Sequence, residues 1–95
     1  MEKIGEYKIT SNTPVDISNI DFHELIVKSN DIYASVLIPK IDLSLAVSYY
    51  QAGFYFTPSS NGSFTVQATS DNVTLRKHYY NGAILDSSSY SIFYR

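Results

Sequence analysis

The sequence predicts an all-β protein: a single small antiparallel β-sandwich or jelly-roll-like barrel of about eight short strands, with residues 1–95 forming one β domain. In most segments apolar and polar side chains alternate with a two-residue period, and no stretch keeps apolar residues at the three- and four-residue spacing of a helix. Clusters of Ser, Asn, Asp, Gly and Pro separate these segments and indicate turns. No repeat, low-complexity tract or linker divides the chain.

The first part of the chain predicts three strands. Residues 4–10 form a strand, and residues 11–20, which include Pro14, form a polar connection. Residues 22–28 and 32–38 flank a short polar turn and so predict a hairpin. Apolar side chains of its second strand fall on one side, which indicates one buried face.

Pro39 marks a break in the pattern. Because proline has no amide hydrogen to donate to a sheet, we expect a corner or an edge at this point and a passage to the other sheet. After it, apolar residues alternate over 41–50 as in a strand, although a short helix over 43–51 is an open alternative. Residues 53–57 form another strand, which ends at the turn-forming residues 58–62.

The clearest strand covers residues 63–69, with one face in the core and the other in water. It is expected to form a hairpin with residues 73–80, in which the even-numbered positions point outward. Three side chains of the first strand of this hairpin point into the core: Phe64, Val66 and Ala68.

Asn81-Gly82 predicts a tight turn of type I′, because both residues tolerate the positive φ angles that its central positions need. The chain then returns as a short strand over residues 83–85. Residues 86–89 break that strand, and the β-forming residues 90–95 predict a final one. The final strand must be held by pairing, since it would otherwise fray.

Charge and composition argue against several classes of partner. The formal net charge is −2 and the isoelectric point is about 5.5, so no basic field attracts nucleic acid. The chain has no cysteine, which excludes disulfides, thiolate metal sites and thiol nucleophiles. The first residues lack the basic and apolar segments of a signal peptide, and no run reaches membrane-spanning length. We therefore expect neither secretion by a signal peptide nor membrane insertion.

We expect no enzyme activity, metal site or cofactor. Only two histidines are present, His23 and His78, and strand alternation places Glu24 on the face opposite His23. No G-x-S-x-G motif supports a serine nucleophile, and the four glycines are scattered singly instead of forming a phosphate-binding loop. A carboxylate pair for glycoside hydrolysis would assemble in space, but a 95-residue domain leaves little room for the cleft that it needs.

An aromatic and polar surface is the strongest functional signal. Outward positions of the predicted strands carry flat amphipathic rings mixed with hydrogen-bonding groups, and such rings are enriched at interfaces. This candidate binding face consists of Tyr50, Tyr55, Gln67, Arg76, His78 and Tyr80. It fits a subunit interface or a shallow platform on which sugar rings stack. Alternatively, the tyrosines simply cover the second layer of the sandwich with their hydroxyls in water.

The terminal strand presents apolar side chains on both faces. At the edge of a small sandwich such a strand is a liability, which a neighbouring subunit would cover. The candidate oligomer interface is therefore Tyr90, Ile92, Phe93 and Tyr94.

The Tyr-, Ser- and Asn-rich composition, the lack of cysteine, the hairpin of residues 73–84 and the aromatic ending of residues 90–95 point to one kind of protein. In these features the chain resembles the small all-β modules that tailed bacteriophages use in virion appendages, namely head fibres, tail fibres and baseplates. The resemblance implies a viral structural protein that forms a homotrimer or another ring and serves attachment or architecture. It also implies synthesis in the host cytoplasm and a final place in the virion.

Three functions therefore compete. The first is a non-catalytic structural or interaction module that binds itself as a homo-oligomer. The second is a carbohydrate-binding domain, in which the tyrosines of the candidate face stack on a cell-surface glycan while its Arg, Gln and His bond the hydroxyls. The third is a small phage-encoded inhibitor that binds a host protein.

Overall fold

The computed structural model describes all 95 residues, Met1–Arg95, and contains ten strands and one 3₁₀ turn. In chain order the elements are β1 (Glu2–Ile9), β2 (Thr13–Asp16), β3 (Glu24–Ser29), β4 (Ser35–Pro39), the 3₁₀ turn (Lys40–Asp42), β5 (Ser48–Thr57), β6 (Ser60–Ala68), β7 (Asn72–Leu75), β8 (Tyr79–Tyr80), β9 (Ala83–Ile84) and β10 (Ser88–Tyr94). The strands form two antiparallel sheets, which confirms the all-β, sandwich-like prediction.

The two sheets differ in how their strands are ordered. The first sheet has the order β1-β10-β3-β4, so the last strand of the chain lies inside it. The second sheet has the order β2-β7-β6-β8-β9, and β5 pairs with the remaining side of β6. β6 is thus the centre of the second sheet, with β5 along one side and β7 and β8 in succession along the other.

The core lies between the sheets and contains 15 buried apolar side chains in one cluster. The inward residues predicted for β6 belong to it, since Phe64, Val66 and Ala68 are each at most 2% exposed. Leu25 on β3 and Ile92 on β10 are fully buried from the first sheet. Complete burial of a large aliphatic or aromatic side chain stabilises a fold by about 1.5–3 kcal/mol, so this cluster is the main source of stability.

Several turns form where the sequence predicts them. Asn81 and Gly82 have φ angles of 49° and 87° and join β8 to β9, as a type I′ turn requires. The hairpin of β3 and β4 is confirmed, with Lys28 opposite Ser35. Pro39 ends β4 at the edge of the first sheet, and the chain then passes to β5 in the second, also as predicted.

The polar connection predicted for residues 11–20 is wrong in part, because it contains β2. Val15 lies opposite Val73 of β7 and is 6% exposed. Pro14 is compatible with this strand, since β2 is an edge strand and needs no amide donor on its free side.

Neither alternative for residues 41–50 is fully correct. Residues 40–42 form the 3₁₀ turn, no helix follows, and β5 begins only at Ser48. β5 then continues through the region predicted as a separate strand to Thr57. Thr57 pairs with Ser60, so the loop predicted over residues 58–62 reduces to a two-residue turn.

The strand predicted over residues 73–80 is interrupted. β7 ends at Leu75, the next three residues leave the ladder, and Tyr79 resumes pairing with β6 as part of β8. The interruption is held by β10, because the Tyr90 hydroxyl donates to the Arg76 carbonyl oxygen at 2.5 Å and the His78 amide donates to Ser88 Oγ at 2.7 Å.

Candidate functional site

The side of the second sheet that faces away from the core carries three exposed tyrosine rings. On β5 and β6 the register places Tyr49 opposite Gln67 and Gln51 opposite Thr65. On the other side of β6, Tyr79 lies opposite Ser63 on the same face. We call this surface the outer face and define it by Tyr49, Gln51, Tyr55, Thr65, Gln67 and Tyr79.

The structure places only two residues of the predicted binding face on the same side of the second sheet, at opposite ends of the β5–β6 pairing. Tyr55 and Gln67 lie on the outer face. Tyr50 lies opposite Val66 on the core side, where it is half-buried and where burial raises the pKa of its hydroxyl. The other three residues occupy different surroundings: Arg76 is exposed in the interruption after β7, His78 is fully buried, and Tyr80 pairs with Gly62 on the core-side parity.

Two rings of the outer face, Tyr49 and Tyr79, are absent from the sequence-based prediction. Alternation counted from Ile41 across residues 41–50 puts Tyr49 on the inner side with the apolar residues, whereas the strand begins only at Ser48. Counting from the apolar positions Ala52 and Phe54 would have placed Tyr49 outward, since a shift of one residue exchanges the two faces of a strand.

The free edge of β5 exposes unpaired backbone groups. The Asn61 amide donates to Asn81 Oδ1 at 3.0 Å and the Asn61 carbonyl oxygen accepts from the Asn81 amide at 2.9 Å, so both backbone groups of Asn61 point away from β5. Tyr55, directly opposite Asn61, must then point its own amide and carbonyl away from β6. By alternation the backbone amides and carbonyls of Gly53, Gln51 and Tyr49 also point away from β6. No other group of the chain bonds to these outward amides and carbonyls.

The other sheet edges are short or protected. β1 carries alternating charges at Glu2, Lys3, Glu6 and Lys8. β2 has four residues and includes a proline and an aspartate, β4 has five residues and ends at a proline, and β9 has two residues. β5 has ten residues, and the sequence has no charged residue between Asp42 and Asp71. Charges and prolines are common protections against edge pairing, and β5 has neither; the one irregularity in its pairing with β6 lies at its end, between Tyr55 and Thr57.

An open groove of about 720 Å³ extends across β5, β6 and β8, and none of the residues that line it is charged. Tyr55, Tyr79, Gln51 and Ser63 contribute to its lining. Gly53 lies at the closest approach of β5 to β6, because a Cβ atom there would lie 2.7 Å from the Cα atom of Ser63. The groove therefore combines aromatic rings with uncharged hydrogen-bonding groups.

His78 lies in the core, contrary to the predicted outward position, because the chain leaves the β7 ladder before it. Its ring stacks on Tyr90 with centroids 4.6 Å apart and meets the edge of Phe64 at 5.4 Å. Nδ1 lies 3.4 Å from Asp31 Oδ2, but neither ring nitrogen forms a hydrogen bond. Burial lowers the pKa of His78, against a smaller raising effect of Asp31, so the buried imidazole favours its neutral form.

The edge position expected for the terminal strand, from which the candidate oligomer interface was argued, is wrong. β10 is not an edge strand, since β1 and β3 pair with its two sides. Tyr90 and Ile92 are fully buried, and burial strongly raises the pKa of the Tyr90 hydroxyl. Phe93 and Tyr94 are half-buried, and the Tyr94 hydroxyl donates to Glu2 within the chain.

No group of three or more His, Cys, Asp or Glu side chains is placed to hold a metal ion. None of the structure's helical segments has the length and apolar character needed to cross a membrane. Comparison of the chain with protein-family models, curated proteins and solved structures gave no match. The function is therefore inferred from the geometry of the chain itself.

Proposed function

We propose that the protein is a non-catalytic structural module that self-associates, with β5 and the outer face as the contact. The observation that carries this proposal is the combination of a ten-residue unpaired edge with exposed rings and no charge. Tyr49, Tyr55 and Phe56 are 65%, 70% and 75% exposed. Aromatic side chains are enriched at interfaces, and charged residues are depleted from their centres.

A virion appendage is the setting that we propose for this module. The support is the resemblance in composition and terminal pattern, together with a surface suited to contact between copies. Repeated contact between identical subunits is how such appendages are built, and attachment is the role that we assign to the assembly.

The oligomeric state in solution tests the proposal. Sedimentation velocity over a range of protein concentrations should show a homo-oligomer that dissociates on dilution. Tyr49→Lys should shift the equilibrium towards monomer, whereas Tyr33→Lys, at a fully exposed position outside the strands, should leave it unchanged. A protein that is monomeric even at high concentration would contradict the proposal.

Carbohydrate binding is a second candidate, and the groove is the observation that favours it. Its rings can stack on the apolar face of a sugar, and its uncharged amide and hydroxyl groups match sugar hydroxyls. Binding to a glycan array that is lost in Tyr79→Ala but kept in Tyr33→Ala would support it. An array without hits would remove it.

A third reading, an inhibitor of a host protein, is separated from the others by capture from host lysate. A virion part should recover copies of itself, while an inhibitor should recover one host protein in stoichiometric amount.

A further inference from the structure

We infer that two copies pair through their β5 strands, antiparallel about a two-fold axis, and join their second sheets into one continuous sheet. This inference rests on the proposed self-association and specifies its geometry. It names a second copy of this chain as the partner of the free β5 edge.

The direction of the backbone groups restricts the register to pairings between outward residues. Outward amides and carbonyls occur at Tyr49, Gln51, Gly53 and Tyr55, as the hydrogen bonds of Asn61 require. An antiparallel partner bonds to all four when Tyr49 lies opposite Tyr55 of the second copy and Gln51 lies opposite its Gly53. Each such pair exchanges two backbone hydrogen bonds.

The side chains on the outer face suit this register. Tyr49 and Tyr55 of different copies become direct cross-strand neighbours, an aromatic pairing that stabilises antiparallel sheets. Gln51 lies over the glycine of the other copy and meets no side chain there. The outward positions 49, 51, 53 and 55 begin and end with a tyrosine, so the two-fold axis places a tyrosine opposite a tyrosine at both ends of the contact.

The core-facing side chains of β5 would also become more buried in the inferred dimer. Ala52 lies at the two-fold axis, where a small side chain lets the two copies approach. Tyr50 and Phe54 flank it and are half-buried against the core of their own copy. A second copy would cover their remaining exposed edges.

Charge and edge protection are compatible with an identical partner and leave one edge for it. No charged residue occurs between Asp42 and Asp71, so two copies meet at β5 without repulsion between like charges. Because the remaining edges are charged, very short or broken by proline, each copy offers one edge for pairing. Assembly then closes at a dimer, in place of the homotrimer or other ring that the resemblance implies.

Two double variants test the register directly. Tyr49→Lys with Tyr55→Lys places like charges opposite each other across the inferred contact, whereas Tyr49→Lys with Tyr55→Glu places opposite charges there. Both remove the same two rings, and within one copy positions 49 and 55 lie several residues apart on the strand. We expect the dimer dissociation constant of the Lys/Lys variant to be at least about tenfold higher than that of the Lys/Glu variant, with a smaller difference at high salt.

Sedimentation equilibrium of the wild type and both variants separates the outcomes, with thermal unfolding as the check that each variant is folded. A dimeric wild type with equal dissociation constants for the two variants would overturn the inferred register and leave the self-association standing. A monomeric wild type would overturn both, and a monomer that binds an added β-strand peptide at this edge would assign β5 to a foreign partner.

Discussion

β5 and β10 have similar compositions and opposite roles. Both are rich in aromatic residues, and both alternate with a two-residue period. β10 has a neighbour on each side and uses Tyr90 and Ile92 to fill the core, whereas β5 has one neighbour and leaves Tyr49 and Tyr55 in solvent. The number of strand neighbours, and not the aromatic content, therefore decides which strand is available for contact.

The largest expected difference between the two strands is in stability. Ile92→Ala should lower the free energy of unfolding by about 2–5 kcal/mol, because it removes a fully buried side chain and leaves a cavity. Tyr55→Ala, measured at a protein concentration that keeps the chain monomeric, should change it by no more than about 0.5 kcal/mol. Urea unfolding gives both values, and equal losses would refute the contrast.

Gly53 is the position where β5 should tolerate change least. In Gly53→Ala the new Cβ atom would overlap the backbone of β6, so we expect a loss of about 1–3 kcal/mol. Gly5→Ala is the matched control, because the added atom there would meet mainly the movable end of the Tyr7 ring. A Gly53→Ala protein as stable as the Gly5→Ala protein would show that β5 and β6 separate easily.

The His78 ring that stacks on β10 should make stability depend on pH. Its folded-state pKa lies below the ordinary value near 6.5, so the unfolded chain takes up a proton first as the pH falls. Stability should be full above about pH 6.5 and decrease below it by at most about 1.4 kcal/mol per pH unit. Urea unfolding at pH 7.5 and pH 5 measures this loss. His78→Phe should reduce the loss, while His23→Gln, at an exposed position, should retain it.

The smallest effect concerns the Tyr90 hydroxyl. Tyr90→Phe keeps the buried ring and removes the hydrogen bond to the Arg76 carbonyl oxygen, which should cost about 0.5–1.5 kcal/mol. If Tyr90→Phe lowered the free energy of unfolding as much as Ile92→Ala does, the hydrogen bond to Arg76, and not the packing of the ring, would be the main contribution of Tyr90 to stability.

The local features of this fold were predictable from sequence. The inward residues of β6 and the Asn81-Gly82 turn follow from two-residue alternation and from φ preferences, which are properties of neighbouring residues. The order of strands in a sheet depends on pairings between distant segments, such as Glu2 opposite Tyr94. No local pattern encodes such a pairing, so the terminal strand was expected at an edge.

The face that each candidate site residue occupies was predictable only where the start and alternation of its strand were predictable. Tyr55 and Gln67 lie on the predicted outward side because the alternation around each of them continues without a break in the β5–β6 pairing. His78 was placed on the wrong face because the ladder breaks after Leu75, and a strand that loses its register also loses its face assignment.

The reciprocal bonds between Asn61 and Asn81 join the β5–β6 turn region to the β8–β9 turn. The Asn61 side chain also donates to the carbonyl oxygens of Thr57 and Pro58, so Asn61 bonds to its own hairpin tip through its side chain and to the β8–β9 turn through its backbone. Opening the β8–β9 turn at Asn81 therefore breaks both of its bonds to Asn61. The backbone protons of Asn61 and Asn81 should therefore exchange with solvent deuterium as one cooperative unit, at a common rate set by the opening of both tips.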